Sequence, residues 1–268
     1  METILSRPTQ PLGHPWRIFW VLLIASVAGV AAILPYVFAL FGKVITAHPL
    51  PMPLPVLIVV QFMENMLLFA GVIALGLLLA RKVGIETPVL QRWLYSENTE
   101  LPKGAVRTPI LSGVVGGTVV LLAFYFLFSP RIPDWPAGVE AAVPVWKRFL
   151  ACFYGAINEE LLARLFSLSL ILWLVRMAAR NKSPRSSGPV FWIANVIVAV
   201  LFSLGHVPAA KLLMHVTPMV ITAIFSTNGA LSLLFGYLCW KRGLEAAMLA
   251  HFSADIVLHV IGPMFLRT

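Results

Sequence analysis

The chain has 268 residues, 59% of them hydrophobic and only 12% charged, a balance that excludes an ordinary water-soluble domain. The net charge of +9 does not point to nucleic acid, because the lysines and arginines fall in short segments between apolar runs, where membrane insertion accounts for them. Cys152 and Cys239 sit far apart in apolar runs and give neither a disulfide framework nor a thiolate metal knuckle; both read as small buried hydrophobes.

Several runs reach the roughly 20 apolar residues that cross ~30 Å of hydrocarbon as a helix, and no long alternating pattern suggests a barrel. The first residues, "METILSRPTQPLGHPWRIFW", lack a small-residue cleavage site, so no removable signal peptide is read. In chain order, spans are predicted over 17–42, 55–80, 108–129, 146–179, 190–214, 217–240 and 244–266. The fold class is an all-α, polytopic transmembrane bundle of seven or eight helices in one integrated membrane domain. Between the spans lie "HPLPMPLP", a polar segment over 81–107, "SPRIPDWPAG" and "RNKSPRSSGP", rich in Pro, Gly or charge as connectors should be.

With the N-terminus inside, thirteen Lys and Arg fall on the cytoplasmic side, six fall opposite, and Arg164 stays within a span; this bias favours N-inside, C-outside. On that layout His206 lies late in the fifth span and His251 early in the seventh, which runs the same way. For the two to meet, a helix must be strongly tilted, broken near Gly205 or Pro208, or wrongly counted.

Ionisable groups in a bilayer core are costly and usually face a polar cavity. Glu159, Glu160 and Arg164 share the fourth span, and His251 and Asp255 the seventh, while His206 ends "FSLGH" in the fifth. Glu160 and Arg164 are four apart and share a helical face, so an ion pair is available; Glu159 is turned ~100° away and is free to point elsewhere. Asp255, one turn from His251, is placed to accept a proton from one ring nitrogen and orient the other. Taken singly, Glu160–Arg164 reads as a neutralised structural pair, and His206 equally as a satisfied helix-end histidine or a catalytic one. His259 extends the stripe of His251 and Asp255 but lies where it would snorkel. Glu64 has no basic partner in its span and receives no role, and His14, His48 and His215 fall in or beside loops. The joint occurrence of the cluster carries the functional reading.

Two chemistries are open to this set. Glu159 acts as general base on a water while histidines share its proton and stabilise an oxyanion, or His206, His251 and a Glu bind zinc and its activated water. Neither a nucleophile-elbow serine nor an HExxH motif is present. Two rivals are a metal-ion or proton transporter using the Glu, His and Asp cluster, with Glu64 and His259 as further ligands or relays, and a non-catalytic immunity or scaffold protein held together by polar helix contacts.

The segments "EELLAR", "FSLGH" and "HFSAD", in this order and on three separate apolar spans, resemble the CPBP family of intramembrane proteases, which includes the type II CAAX prenyl endopeptidases and bacteriocin-processing relatives. The resemblance covers roughly residues 145 to 262 and leaves 1–144 as transmembrane helices without a signature. It implies an endopeptidase acting on a membrane-associated peptide, whether a lipidated C-terminus, a leader or a sorting segment, in a prokaryotic cell membrane. By position, it implies that Glu159 and His206 activate water, that Glu160 and Arg164 support the base, and that His251 with residue 255 forms the oxyanion site. Asp255 departs from the Asn common in the prenyl proteases: it is either protonated or orients His251. The metal question, a possible Zn cofactor against a glutamic-type mechanism, is left open by the resemblance.

Overall fold

The computed structural model describes residues 15–47, 51–96, 100–101, 103–132, 137–178 and 188–265. His14 and His48, and Arg7, Arg180, Lys182, Arg185 and Arg267 from the count of basic residues, lie outside these residues. Among the described residues, seven helices are long and apolar enough to cross a membrane: α1 (Trp16–Ile45), α2 (Leu54–Val83), α4 (Arg107–Arg131), α6 (Val145–Ala178), α7 (Gly188–Leu213), α8 (Pro218–Arg242) and α9 (Leu244–Phe265). Two short helices, α3 (Pro88–Tyr95) and α5 (Ala137–Ala141), lie in connections. The described residues contain no strand. The bundle exposes Leu67, Val115, Phe126 and Ile193 on its outside, a surface that suits lipid rather than water.

The predicted spans agree with these helices to within three residues at each end. What the sequence did not announce is α3, inside a segment read as a polar connector. Its start is held by α9: the Leu90 amide donates to Glu245 Oε1 at 2.9 Å, satisfying a helix-end donor that has no partner within its own helix. Beside it, the Leu244 amide donates to the Glu86 carbonyl at 2.9 Å. Gly243, at φ 94°, makes the reversal between α8 and α9 that a side chain would strain.

Interhelical contacts follow the rule that, without a hydrophobic drive in lipid, close backbone approach and polar bonds hold helices together. Gly113 and Gly117 of α4, four apart, press on Ala250 and Ala254 of α9, also four apart; a Cβ on Gly117 would sit 3.0 Å from the Ala254 Cα. Asn158 Nδ2 on α6 donates to Ser26 Oγ at 2.8 Å and to the Ser26 carbonyl at 3.1 Å on α1. Asn195 Nδ2 on α7 donates to the Leu233 carbonyl on α8 at 3.0 Å. α9 ends up surrounded by α4, α6 and α8, and its polar face is turned inward.

α7 runs unbroken through Gly205 and Pro208, so neither a break nor a miscount brings His206 to His251. Instead Phe202, one turn earlier, lies level with His251: their ring centroids are 6.0 Å apart.

Candidate active site

α6 does not wind regularly through its polar stretch. Residues Gly155–Glu159 and Leu161–Leu168 are π-helical, a widened winding that recurs at functional sites. It changes how the two carboxylates point. Glu160 is fully buried: its Oε2 lies 3.1 Å from Arg164 Nε, and its Oε1 lies 2.9 Å from His251 Nδ1. Glu159 Oε2 lies 3.9 Å from Nε2 of the same ring, and its side chain is 28% exposed. The expected ion pair of Glu160 and Arg164 is present, but the two glutamates do not diverge to unrelated partners; they meet opposite edges of one imidazole.

This arrangement corrects the reading of His251. Asp255 Oδ1 stands 3.5 Å from Nε2, whereas Glu160 receives Nδ1. A carboxylate accepts, so Nδ1 carries the hydrogen, and Glu160 rather than Asp255 fixes the tautomer and leaves Nε2 facing Glu159 and Asp255. The ring is held further by Phe235, stacked at 4.6 Å between centroids with 22° between planes, and by the edge-on Phe202.

Arg164, also fully buried, serves three elements. It pairs with Glu160, donates through Nη2 to Ser232 Oγ on α8 at 3.1 Å, and lies over the Phe202 ring, 5.6 Å from its centroid. The aromatic residue of "FSLGH" therefore connects Arg164, His251 and His206, whose ring lies 4.8 Å away. His206 is half-buried. Its Nδ1 is 2.8 Å from the Phe202 carbonyl oxygen; because a carbonyl only accepts, Nδ1 bears the hydrogen and Nε2 is the basic nitrogen. His206, His259 and Glu159 all lie within electrostatic reach of Asp255.

Several participants were invisible in the sequence. Gly155 has no room for a side chain: a Cβ there would collide with Asp255 Oδ2 and come within 3.2 Å of His251 Nε2. Phe235 and Ser232 carry no polar motif of their own. A second cluster lies one turn beyond Asp255. Glu140 Oε1 accepts from Tyr36 Oη at 2.9 Å and from His259 Nδ1 at 2.7 Å, joining α1, α5 and α9, so His259 is paired rather than snorkelling. Burial pushes the Glu140 carboxyl up, but His259, the Tyr36 hydroxyl and Arg148 outweigh it and hold the group below the usual carboxylate range. Arg148 is fully buried and donates through Nη1 to the His259 carbonyl at 3.1 Å.

Glu64 joins neither cluster; it is exposed on α2, bonded to Gln61. Among the described residues, no three His, Cys, Asp or Glu side chains are gathered as a metal-holding group. Of the zinc alternative of His206, His251 and a Glu, His251 gives its Nδ1 to Glu160, whose other oxygen is against Arg164, and keeps its Nε2 toward Glu159 and Asp255.

What the gathered set offers is a half-exposed carboxylate beside a clamped imidazole, with a second carboxylate and a second imidazole at the same end of the bundle. Residues 141–257 match a protein family described as type II CAAX prenyl endopeptidase, Rce1-like. No curated protein and no solved structure matches the chain.

Proposed function

We propose, on the premise that residues 141–257 are an Rce1-like domain of the type II CAAX prenyl endopeptidase family, that this membrane protein hydrolyses a peptide bond near the end of a membrane-associated substrate by water activation without a metal. The observation that carries this reading is the placing of Glu159 and Glu160 at opposite nitrogens of His251. One carboxylate is spent on orientation, and its neighbour is left for chemistry.

Glu159 takes a proton from water as the water oxygen attacks the scissile carbonyl carbon, and His206 Nε2 shares that proton. The carbonyl oxygen becomes an oxyanion, stabilised by donors from His251 Nε2 and Asp255. Collapse breaks the C–N bond, the proton passes from Glu159 to the departing amine, and the products are a carboxylate and an amine. Charge balance supports the donor role of Asp255. Three carboxylates, Glu159, Glu160 and Asp255, face Arg164 and His251, and an uncompensated charge in this setting is expensive. Protons on His251 and Asp255 leave Glu159 as the base and make the cluster neutral. A protonated Asp255 donates as the family's Asn would.

What supports the metal-free route is that, among the described residues, no three His, Cys, Asp or Glu side chains stand close enough to share one ion. The test is cleavage of a lipidated C-terminal peptide by the purified protein in liposomes. Glu159→Gln, His206→Ala and His251→Ala should each lower the rate by about 10²–10⁴-fold at unchanged membrane levels. Cleavage should persist with a zinc chelator. Retained turnover in Glu159→Gln overturns the base assignment, and loss with chelator that zinc restores overturns the metal-free route.

A further inference from the structure

Arg148 takes no part in the water-activating set, yet it is fully buried in the first turn of α6, where the span meets its connector. Its Nη1 donates to the His259 and Val260 carbonyls of α9, at 3.1 and 3.5 Å. Its Nε and Nη2 have no hydrogen-bond partner among the described residues, and none of the ion pairs formed there includes it. A buried charge without its counter-ion is expensive, and orphaned donors of this kind mark the place of a missing ion, water or ligand.

The free donors have a particular geometry. Nε–H and Nη2–H lie on one edge of the guanidinium, the edge that meets both oxygens of a carboxylate at once. Glu140 is within electrostatic reach of Arg148, but its Oε1 already accepts from Tyr36 and His259. Because His259 gives its Nδ1 to Glu140, its Nε2 is left for another partner. The His259 and Glu140 side chains are 41% and 29% exposed, so the cluster that borders Arg148 opens to the outside. Arg148 and Gly155, seven apart, share one face of α6, and Gly155 lies against Asp255 and His251. The guanidinium is thus in line with the site. From His251 to His259 is about 12 Å at the helical rise, the reach of roughly three or four extended residues.

We propose that Arg148 and His259 hold the free C-terminal carboxylate of the substrate, a few residues beyond the peptide bond that faces His251. The two carboxylate oxygens accept from Arg148 Nε and Nη2, His259 Nε2 donates to the same group when protonated, and the buried guanidinium gains its counter-ion. This inference rests on the peptidase reading above and narrows it: a site that grips a carboxyl end selects substrates cut near a free C-terminus over an amino-terminal leader.

The test is a binding measurement on the full-length Glu159→Gln chain in liposomes, with a fluorescent lipidated peptide ending either in a free carboxylate or in an amide. The acid should bind at least about tenfold more tightly, the scale of hydrogen bonds to a charged group. Arg148→Gln should bring the acid down to the affinity of the amide, and Arg148→Lys, a point charge without the fork, should restore only part of the difference. Thermal unfolding of each variant separates lost recognition from lost fold. Acid and amide bound alike by the Glu159→Gln chain overturn the proposal before any change at Arg148 is made, and so does a preference for the acid that survives in a folded Arg148→Gln chain. Failure of the peptidase reading looks different: the wild-type protein then cleaves neither peptide while the preference for the acid remains.

Discussion

In the mechanism proposed above, Asp255 is the residue on which the chemistry turns, because the same carboxyl either donates to an oxyanion or repels it. If its proton is what the reaction uses, Asp255→Asn keeps the donor and should retain turnover within about tenfold, while Asp255→Ala removes it and should cost about 10²–10³-fold, the range for loss of one oxyanion donor. The sign with pH follows: wild-type turnover falls as rising pH removes the proton, and Asp255→Asn loses that alkaline limb. A rate profile of the three proteins decides it, and an Asn variant as inactive as Ala would show that the carboxyl acts otherwise. Glu160, Arg164, His206, His251 and Asp255 were legible in the sequence because charge in an apolar run is conspicuous. The partner of His251 was not. Spacing on a regular helix favoured Asp255 at four residues, whereas the bond that fixes the ring comes from Glu160, 91 residues away in the chain. Gly155 was unreadable for a similar reason: the space it leaves matters only once α9 is beside it.

Among the elements, the short α5 does more than connect. Through Glu140 it joins α1 and α9, and its carboxyl is held below the usual range. A carboxyl depressed in the folded state adds stability above its unfolded value and loses it as pH falls through the folded one. Glu140→Gln should therefore destabilise the protein at pH 7 by about 1–3 kcal/mol, the scale for hydrogen bonds to a charged group. The gap to wild type should close as the medium is acidified below the normal carboxylate range. Thermal unfolding in detergent at neutral and acid pH measures this, and a gap unchanged by pH would count against the clasp. Glu140 falls between the connector "SPRIPDWPAG" and the span predicted from 146, where nothing in the sequence marks a carboxylate as buried. Hydropathy marks spans, but it carries no information on which loop residue returns to the bundle. The same limit hid α3, whose start is capped by Glu245 on a helix more than 150 residues later.

For the whole molecule, the apolar runs fixed the number and limits of the spans because ~30 Å of hydrocarbon demands about 20 residues and forbids unpaired backbone. Seven such helices among the described residues, if all of them cross, put Trp16 and Phe265 on opposite sides of the membrane. The charge bias sets the direction, so a reporter fused at the N-terminus should be cytoplasmic and one at the C-terminus external; like-sided reporters would contradict the span count. How the helices associate was less legible. Small residues four apart on α4 and amides on α6 and α7 do not name their partners, and their pairing with Ala250, Ala254, Ser26 and Leu233 appears only in three dimensions.

His251 is confined on nearly every side: a carboxylate at Nδ1, two more at Nε2, an aromatic face against its own and another ring at its edge. An imidazole so wedged has no freedom to swivel between acceptors. In the proposed mechanism, any hydrogen it lends at Nε2 is therefore regained at that same atom, so the incoming water and the departing amine are both served from the one side of the ring that Glu159 and Asp255 flank.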